Sequence, residues 1–289
     1  MAESHAHRFG QLIGEVLESV VLPQLDEFCK RQNLYLDYQK RNRPARKGKK
    51  VSWSDPYGNI HDLDFVIERD GSDQQIGRPV AFIETAWRRY TKHSRNKAQE
   101  IQGAILPLAE MYRWNNPFLG AVLAGVFTEK SLDQLRSLGF QILYFPLASL
   151  VEAFGSAGID IAFDETTPDE VYKKATDRIV RLPWEKMESL RTHLVAKNQT
   201  AIDSFFNALN NRLGRQLTRI LVIPLYGRVN EFVSIEDALK FLDGHQIYEG
   251  SGDFRKYEIR VEFSNGDKVE ASIEAKDKVR EFLNFVVRQ

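Results

Sequence analysis

The sequence predicts an α/β fold: a mixed central sheet flanked by helices, followed by a smaller C-terminal α+β domain. Three observations predict it. From residue 9 to about 160, short apolar runs alternate with segments of helical period. Two of those runs, Leu119–Phe127 and Phe140–Phe145, are almost wholly apolar, as strands covered on both faces should be. Near the C-terminus, Asn265-Gly266 between two alternating runs signals a hairpin.

Each element has its own warrant. Phe9–Asn33 carries Leu12, Ile13, Val16, Leu17, Val20, Val21, Leu25 and Phe28 at helical spacing, with Pro23 as an expected kink or break. Leu34–Tyr38 reads as extended, and the basic stretch 40–50 as a loop. Val51–Ser54 and His61–Glu68 read as strands around the turn Asp55-Pro56-Tyr57-Gly58-Asn59. Pro79–Ala86 is a third strand. A helix then begins near Thr91, with Ile101, Ile105, Leu108 and Tyr112 on one stripe. Ser131–Leu138 is a helix stopped by Gly139, and Leu147–Phe154 another helix. Asp164–Asp169, with Thr166-Thr167-Pro168, reads as a linker into a helical region over 170–213. Arg219–Tyr226 is a strand, and Ile235–Leu242 a helix with Ser234 as its N-cap. Tyr257–Phe263 and Lys268–Ile273 form the hairpin, and Lys276–Val286 closes as a helix. The expected division is a core over 1–163, a helical arm over 164–218 and a small domain over 219–289.

Length and composition set broad bounds. A chain of 289 residues can hold a full core. The 40 Lys and Arg balance 40 Asp and Glu, so global charge advertises no nucleic-acid partner. Charge is clustered nonetheless. Lys40, Arg41, Arg43, Arg46, Lys47, Lys49 and Lys50 form one group, and Arg88, Arg89, Lys92, Arg95 and Lys97 another. Such patches bind phosphates within a neutral protein. The lone cysteine, Cys29, excludes an intrachain disulfide and a Cys-cluster metal site, and suits a reducing compartment. Met1–Arg8 is polar and no apolar run reaches membrane-span length, so a soluble intracellular protein, in the cytoplasm, is expected.

The chemistry concentrates in His61-Asp62-Leu63-Asp64-Phe65 and in the run ending Ile83-Glu84-Thr85-Ala86-Trp87. Residues two apart on a strand share a face, so Asp62 and Asp64 are expected together, with Glu84 at the end of the neighbouring strand. Carboxylates gathered on adjacent strand ends suit a hard cation such as Mg²⁺.

This order of elements and this acidic pair resemble the PD-(D/E)xK nuclease superfamily, the restriction-endonuclease-like fold, over roughly residues 9–160. The resemblance implies that Asp64 and Glu84 bind Mg²⁺ (or Mn²⁺), with Asp62-Leu63-Asp64 standing for the family's Pro-Asp. It makes Glu18 or Glu15 on the first helix a further acidic candidate. The implied activity is hydrolysis of DNA phosphodiesters by a type II restriction or other defence endonuclease, working as a homodimer because two strands need two active sites. A repair or recombination nuclease is a further alternative.

The triplet departs from the family at one place, where Glu84-Thr85-Ala86 has Ala instead of Lys. Three readings follow. The chain is a naturally inactive relative that only binds DNA; or it is a variant inactivated by a Lys-to-Ala change; or the Lys role has moved into the next helix. Lys97 suits the last reading, being in line with Ile101, Ile105 and Tyr112 on the sheet-facing stripe near the helix start. Its structural alternative is a Lys that reaches solvent beside the core.

Arg46, Lys47, Lys49, Lys50, Arg88, Arg89, Lys92 and Arg95 are expected to track the DNA backbone. His61 and His93 read as ordinary polar residues, and Trp87 as a core plug. Glu274-Ala275-Lys276 matches the E-x-K triplet literally, but its hairpin supplies Glu258 and Glu262 instead of the expected Asp, so it is rejected as a catalytic site.

Overall fold

The computed structural model describes residues 4–90, 94–164, 166–214, 216–225, 228–245, 254–264 and 266–287. The chain separates into two compact units, Met1–Ala208 and Leu209–Gln289. The architecture is the expected α/β class, a mixed sheet with helices around it.

The first unit opens with helix α1 (His5–Arg31), whose stripe from Phe9 to Phe28 is buried. Of the expected kink or break at Pro23, the break does not occur, and the helix runs through it. Burial of that continuous stripe outweighs the roughly 3 kcal/mol that an internal proline costs a helix. The five-stranded sheet has the order β1-β4-β5-β6-β7, from β1 (Tyr35–Tyr38), β4 (Phe65–Arg69), β5 (Arg78–Arg88), β6 (Phe118–Gly125) and β7 (Gln141–Pro146). β1, β4 and β5 are antiparallel neighbours. β6 and β7 add in parallel, connected through α2 (Ser94–Met111) and α3 (Glu129–Ser137). Gly139, at φ +87°, ends α3 as expected, with the Phe140 N–H bonded to the Leu135 carbonyl and the Gly139 N–H to that of Arg136.

One face of the sheet packs Val66, Phe82, Ala86, Ala121 and Leu123 against Ala98, Ile101, Ile105 and Leu108 of α2 and Leu132 and Leu135 of α3. A two-stranded ribbon, β2 (Val51–Ser54) and β3 (Ile60–Leu63), joins the same core through Val51, Trp53 and Leu63. The other face carries α1 and α4 (Leu147–Ser156).

Two sequence expectations are corrected here. His61–Glu68 is not one strand. It breaks at Asp64, where the chain leaves the β2–β3 ribbon and enters the main sheet, so β3 and β4 pair with different partners. The helical arm is not an arm. Helix α5 (Asp169–Val180) packs on α1 through Tyr172 against Phe9, and α6 (Trp184–Lys197) packs on α1 and α4. The division between units falls within α7 (Gln199–Leu213).

The second unit is an antiparallel sheet of order β11-β10-β8-β9, from β8 (Leu217–Pro224), β9 (Asn230–Phe232), β10 (Tyr257–Phe263) and β11 (Lys268–Ile273). Ile220, Val222, Tyr257, Ile259 and Val261 bury one face against α8 (Ile235–Gly244) and α9 (Lys276–Val287). The opposite face is an array of ion pairs that includes Arg260–Glu270 and Arg219–Glu262. Asn265 of the hairpin turn lies outside the described residues.

Among the described residues no helix is long and apolar enough to cross a membrane.

Candidate functional site

The break at Asp64 builds the site. Phe65 pairs with Ile83 across β4 and β5, which brings Asp64, one residue earlier, opposite Glu84, one residue later. The Asp64 N–H donates to Glu84 Oε1 at 3.3 Å. The Asp64 carboxylate is itself held by three donors. The Thr85 N–H and hydroxyl donate to Oδ2 at 2.8 and 2.7 Å, and Gln39 Nε2 donates to Oδ1 at 3.2 Å. Three donors from two segments, β5 and the turn after β1, therefore fix one carboxylate at the junction of two sheets.

These groups line a cleft of about 820 Å³ between α1, the C-terminal end of β5 and the start of α2. Glu18, Lys40, Asp64, Glu84, Ala86, Arg88 and Lys97 all face it. Burial pushes the Glu84 carboxyl up to about 8, and the Asp64 charge adds to the rise, while Lys97 pulls it back. Burial also raises Glu18, against the pull of Lys40, whose Nζ lies 3.0 Å from Glu18 Oε2. Lys97, a fifth exposed at its side chain, pairs with Glu100 Oε2 at 3.2 Å, and Arg88 reaches the same oxygen at 3.5 Å. A lone backbone feature keeps Arg88 in place. Gly125, at φ +95°, lets the Val126 N–H reach the Arg88 carbonyl at 2.7 Å, where a Cβ on residue 125 would lie 2.1 Å from that oxygen.

The cleft thus gathers Asp64, Glu84 and Lys97, and leaves other expected residues out. Asp62 sits on β3, hydrogen-bonded to Ser52 and ion-paired with Lys50, because the bend at Asp64 ends the two-residue alternation that was to place both carboxylates on one face. Arg46 is not available to a nucleic-acid backbone. Its side chain is 6% exposed, paired with Asp37 and with Glu68, and stacked over the Trp53 ring at 5.0 Å. Arg43 is buried against Asp37 in the same network, so part of the basic stretch 40–50 pins its own loop to β1 and β4. Lys50 is taken by Asp62, while Lys47 and Lys49 are exposed and away from the cleft lining. Arg88 and Arg89 do line the cleft, and Arg89 is stacked between the rings of Tyr90 and Tyr172 at 4.2 and 4.3 Å. Arg95 is exposed on the first turn of α2, outside that lining. Lys92 and His93 lie outside the described residues. Glu15 reaches the cleft, 3.9 Å from Arg8.

His61 bonds Asp55 Oδ2 at 3.1 Å and helps clip the β2–β3 turn. Trp87 is buried, with its indole 3.8 Å from the position a Cβ would take on Gly10. Lys276 of the second E-x-K triplet donates to the Asp243 and His245 carbonyls at the end of α8, a helix-capping role. Sequence reasoning missed Thr85, Gln39 and Lys40 as site residues. Thr85 carried a signal as the middle residue of the triplet, and Lys40 only as a member of the basic stretch 40–50.

The donor set fits a hard divalent cation. Mg²⁺ is commonly held by one or two carboxylates, with waters and substrate phosphate completing its octahedron. Asp64 and Glu84 supply that number, and a cation between them would offset both the burial of Glu84 and the Asp64 charge beside it, which together raise its pKa. Among the described residues no group of three or more His, Cys, Asp and Glu side chains comes together as a metal site.

No protein-family profile matches the chain, and no curated protein matches it. Among solved structures, one titled "Crystal Structure of Protein of Unknown Function AF1548" aligns over 69% of this chain and 98% of its own, at 14% identity and a TM-score of 0.30. That likeness is too distant to carry an argument about fold or function.

Proposed function

We propose that the chain is a Mg²⁺-dependent endonuclease that hydrolyses DNA phosphodiesters, a member of the PD-(D/E)xK superfamily acting in restriction or another defence system. The observation that carries the reading is the meeting of Asp64 and Glu84 across neighbouring strands, in one cleft with Lys97. Asp64 and Glu84 would hold the cation. When bound, Mg²⁺ supplies polarisation of the scissile phosphate and acidification of water.

The chain's own residues do the rest. Thr85 and Gln39 fix the orientation of Asp64. Lys97 offers its ammonium to the attacking water and the developing charge, replacing the Lys that Ala86 lacks. Arg88 and Arg89 meet the flanking backbone from the cleft wall. Cleavage of both strands calls for a homodimer, and the single buried cysteine suits a cytoplasmic protein. Ala86 itself favours a second reading, a protein of this fold that binds DNA without cutting it.

The test is incubation of unmethylated plasmid and phage DNA with the protein in Mg²⁺, Mn²⁺ or EDTA. Cleavage in either metal and none in EDTA is expected. DNA binding with no cleavage in any condition would overturn the enzyme in favour of the binding protein.

A further inference from the structure

We propose that the corner between α5 and α6 is a second phosphate-binding surface, which holds the backbone of duplex DNA where it leaves the cleft. The inference rests on the nuclease reading for the identity of the ligand, and on separate residues for the site. A cavity of about 270 Å³ opens there, with Arg178, Arg181 and Lys186 against one carboxylate, Asp177, in its lining. Among the described residues none of these three cations takes part in an ion pair or a side-chain hydrogen bond. That sets them apart. The exposed sheet face of the second unit, for example, pairs Arg219, Lys256, Arg260 and Lys268 with neighbouring glutamates.

Three further features point to an anion. Lys174, Arg178 and Arg181 follow one another at helical spacing on the exposed face of α5, opposite buried Tyr172, Ala175, Thr176 and Ile179. Lys186 lies in the first turn of α6 beside Glu185, and the positive end of the helix dipole there adds to the pull on an anion. That helix starts after Pro183, whose side chain offers no cap, so its first N–H groups are open to an acceptor. Arg178 and Arg181 also complement the C-terminal end of α5, but that role gives no reason for Lys186 to join them.

The position fits a strand that continues from the cleft. Tyr172 of α5 stacks on Arg89, which lines the cleft. At about 1.5 Å per helical residue, Arg181 lies roughly 13 Å along α5 from Tyr172. That is about four base pairs of duplex. Exposed Trp184 and Val180 flank the same corner and offer apolar contact to the sugars.

The experiment measures binding in EDTA of two duplexes, a hairpin of about six base pairs that ends short of the corner and a duplex of about twenty-four, over a range of salt. It compares the unaltered chain with Arg178→Gln/Arg181→Gln/Lys186→Gln and with the same positions changed to Glu, each checked for folding by circular dichroism. The long duplex should bind the unaltered chain at least tenfold more tightly than the Glu variant. The slope of log affinity against log salt should become shallower by about two to three, near 0.9 per lost phosphate contact. The loss should be much smaller for the short duplex, with the Gln variant intermediate.

Equal affinity and equal slope in all three proteins would overturn the proposal, as would an equal loss on both duplexes. So would titrated inorganic phosphate that binds the corner with no DNA dependence, or a long single-stranded RNA bound in preference to the duplex. Because the readout is binding, the two readings fail separately. Absent cleavage with a variant-sensitive slope removes the nuclease alone, and cleavage with an insensitive slope removes this surface alone.

Discussion

Asp64 and Glu84 face each other across β4 and β5, with the backbone N–H of one donating to the carboxylate of the other. Burial of Glu84, and next the Asp64 charge beside it, raises the Glu84 carboxyl above its usual range. Lys97 lowers it in part, while Lys40 acts on Glu18 at the same cleft.

The first prediction concerns pH. Glu84 ionises near 4.5 in the unfolded chain and near about 8 in the folded one. Between those values the folded state binds more protons, so stability is highest at the acid end and falls as pH rises toward 8. The loss amounts to at most a few kcal/mol, at about 1.4 kcal/mol per pK unit. Thermal melts from pH 5 to 8 in EDTA should show this decline, and Glu84→Gln should flatten it. Millimolar Mg²⁺ at pH 8 should raise the unaltered chain's Tm and leave the variant's unchanged. A decline of the same size in the variant would refute the assignment.

Arg46 should matter for folding and not for DNA. Its removal leaves Asp37 and Glu68 buried with their shared partner lost, which costs roughly 3 to 5 kcal/mol. Urea unfolding of Arg46→Ala should show a drop of that order, and Lys47→Ala should stay within about 0.5 kcal/mol of the unaltered chain. An Arg46→Ala protein with full stability and weakened DNA binding would restore the backbone-contact role.

Thr85 should act through Asp64. Thr85→Val keeps the shape and the backbone N–H bond but removes the hydroxyl that donates to Oδ2. Stability should fall by about 1 kcal/mol. Metal affinity, read by titration calorimetry, should fall by roughly 10-fold or more, as for other groups that orient a ligand. Thr85→Ser should recover most of the affinity. Unchanged affinity in Thr85→Val would show that Asp64 needs no such support.

The elements were legible in the sequence because their signals are local. The apolar stripes of α1 and α2, the apolar β6 and β7, Gly139 and the Ser234 cap each act within a few residues. Asp64, Glu84 and Lys97 were also legible, since strand order and helix phase place them together. What could not be read depends on long-range choices. Asp62 was misplaced because a bend between two sheets cancels strand alternation, and no residue at Asp64 announces one. Arg46 reads as a surface cation until Asp37 and Glu68, brought from β1 and β4, surround it. β9 was missed because three residues, Asn230–Phe232, leave too short a pattern to read. Gln39 and Lys40 reach the site only because β1 pairs with β4.

The central claim is that Lys97 serves the cleft formed by Asp64 and Glu84. The most direct measurement is plasmid cleavage in Mg²⁺ by the unaltered chain, Glu84→Ala, Lys97→Ala and the double variant Lys97→Ala/Ala86→Lys. Cleavage by the unaltered chain is expected, with loss of at least 100-fold (about 2.7 kcal/mol) in each single variant, and recovery in the double variant, where a Lys returns to β5. Cleavage by Lys97→Ala at the unaltered rate, with Glu84→Ala inactive, would contradict that claim.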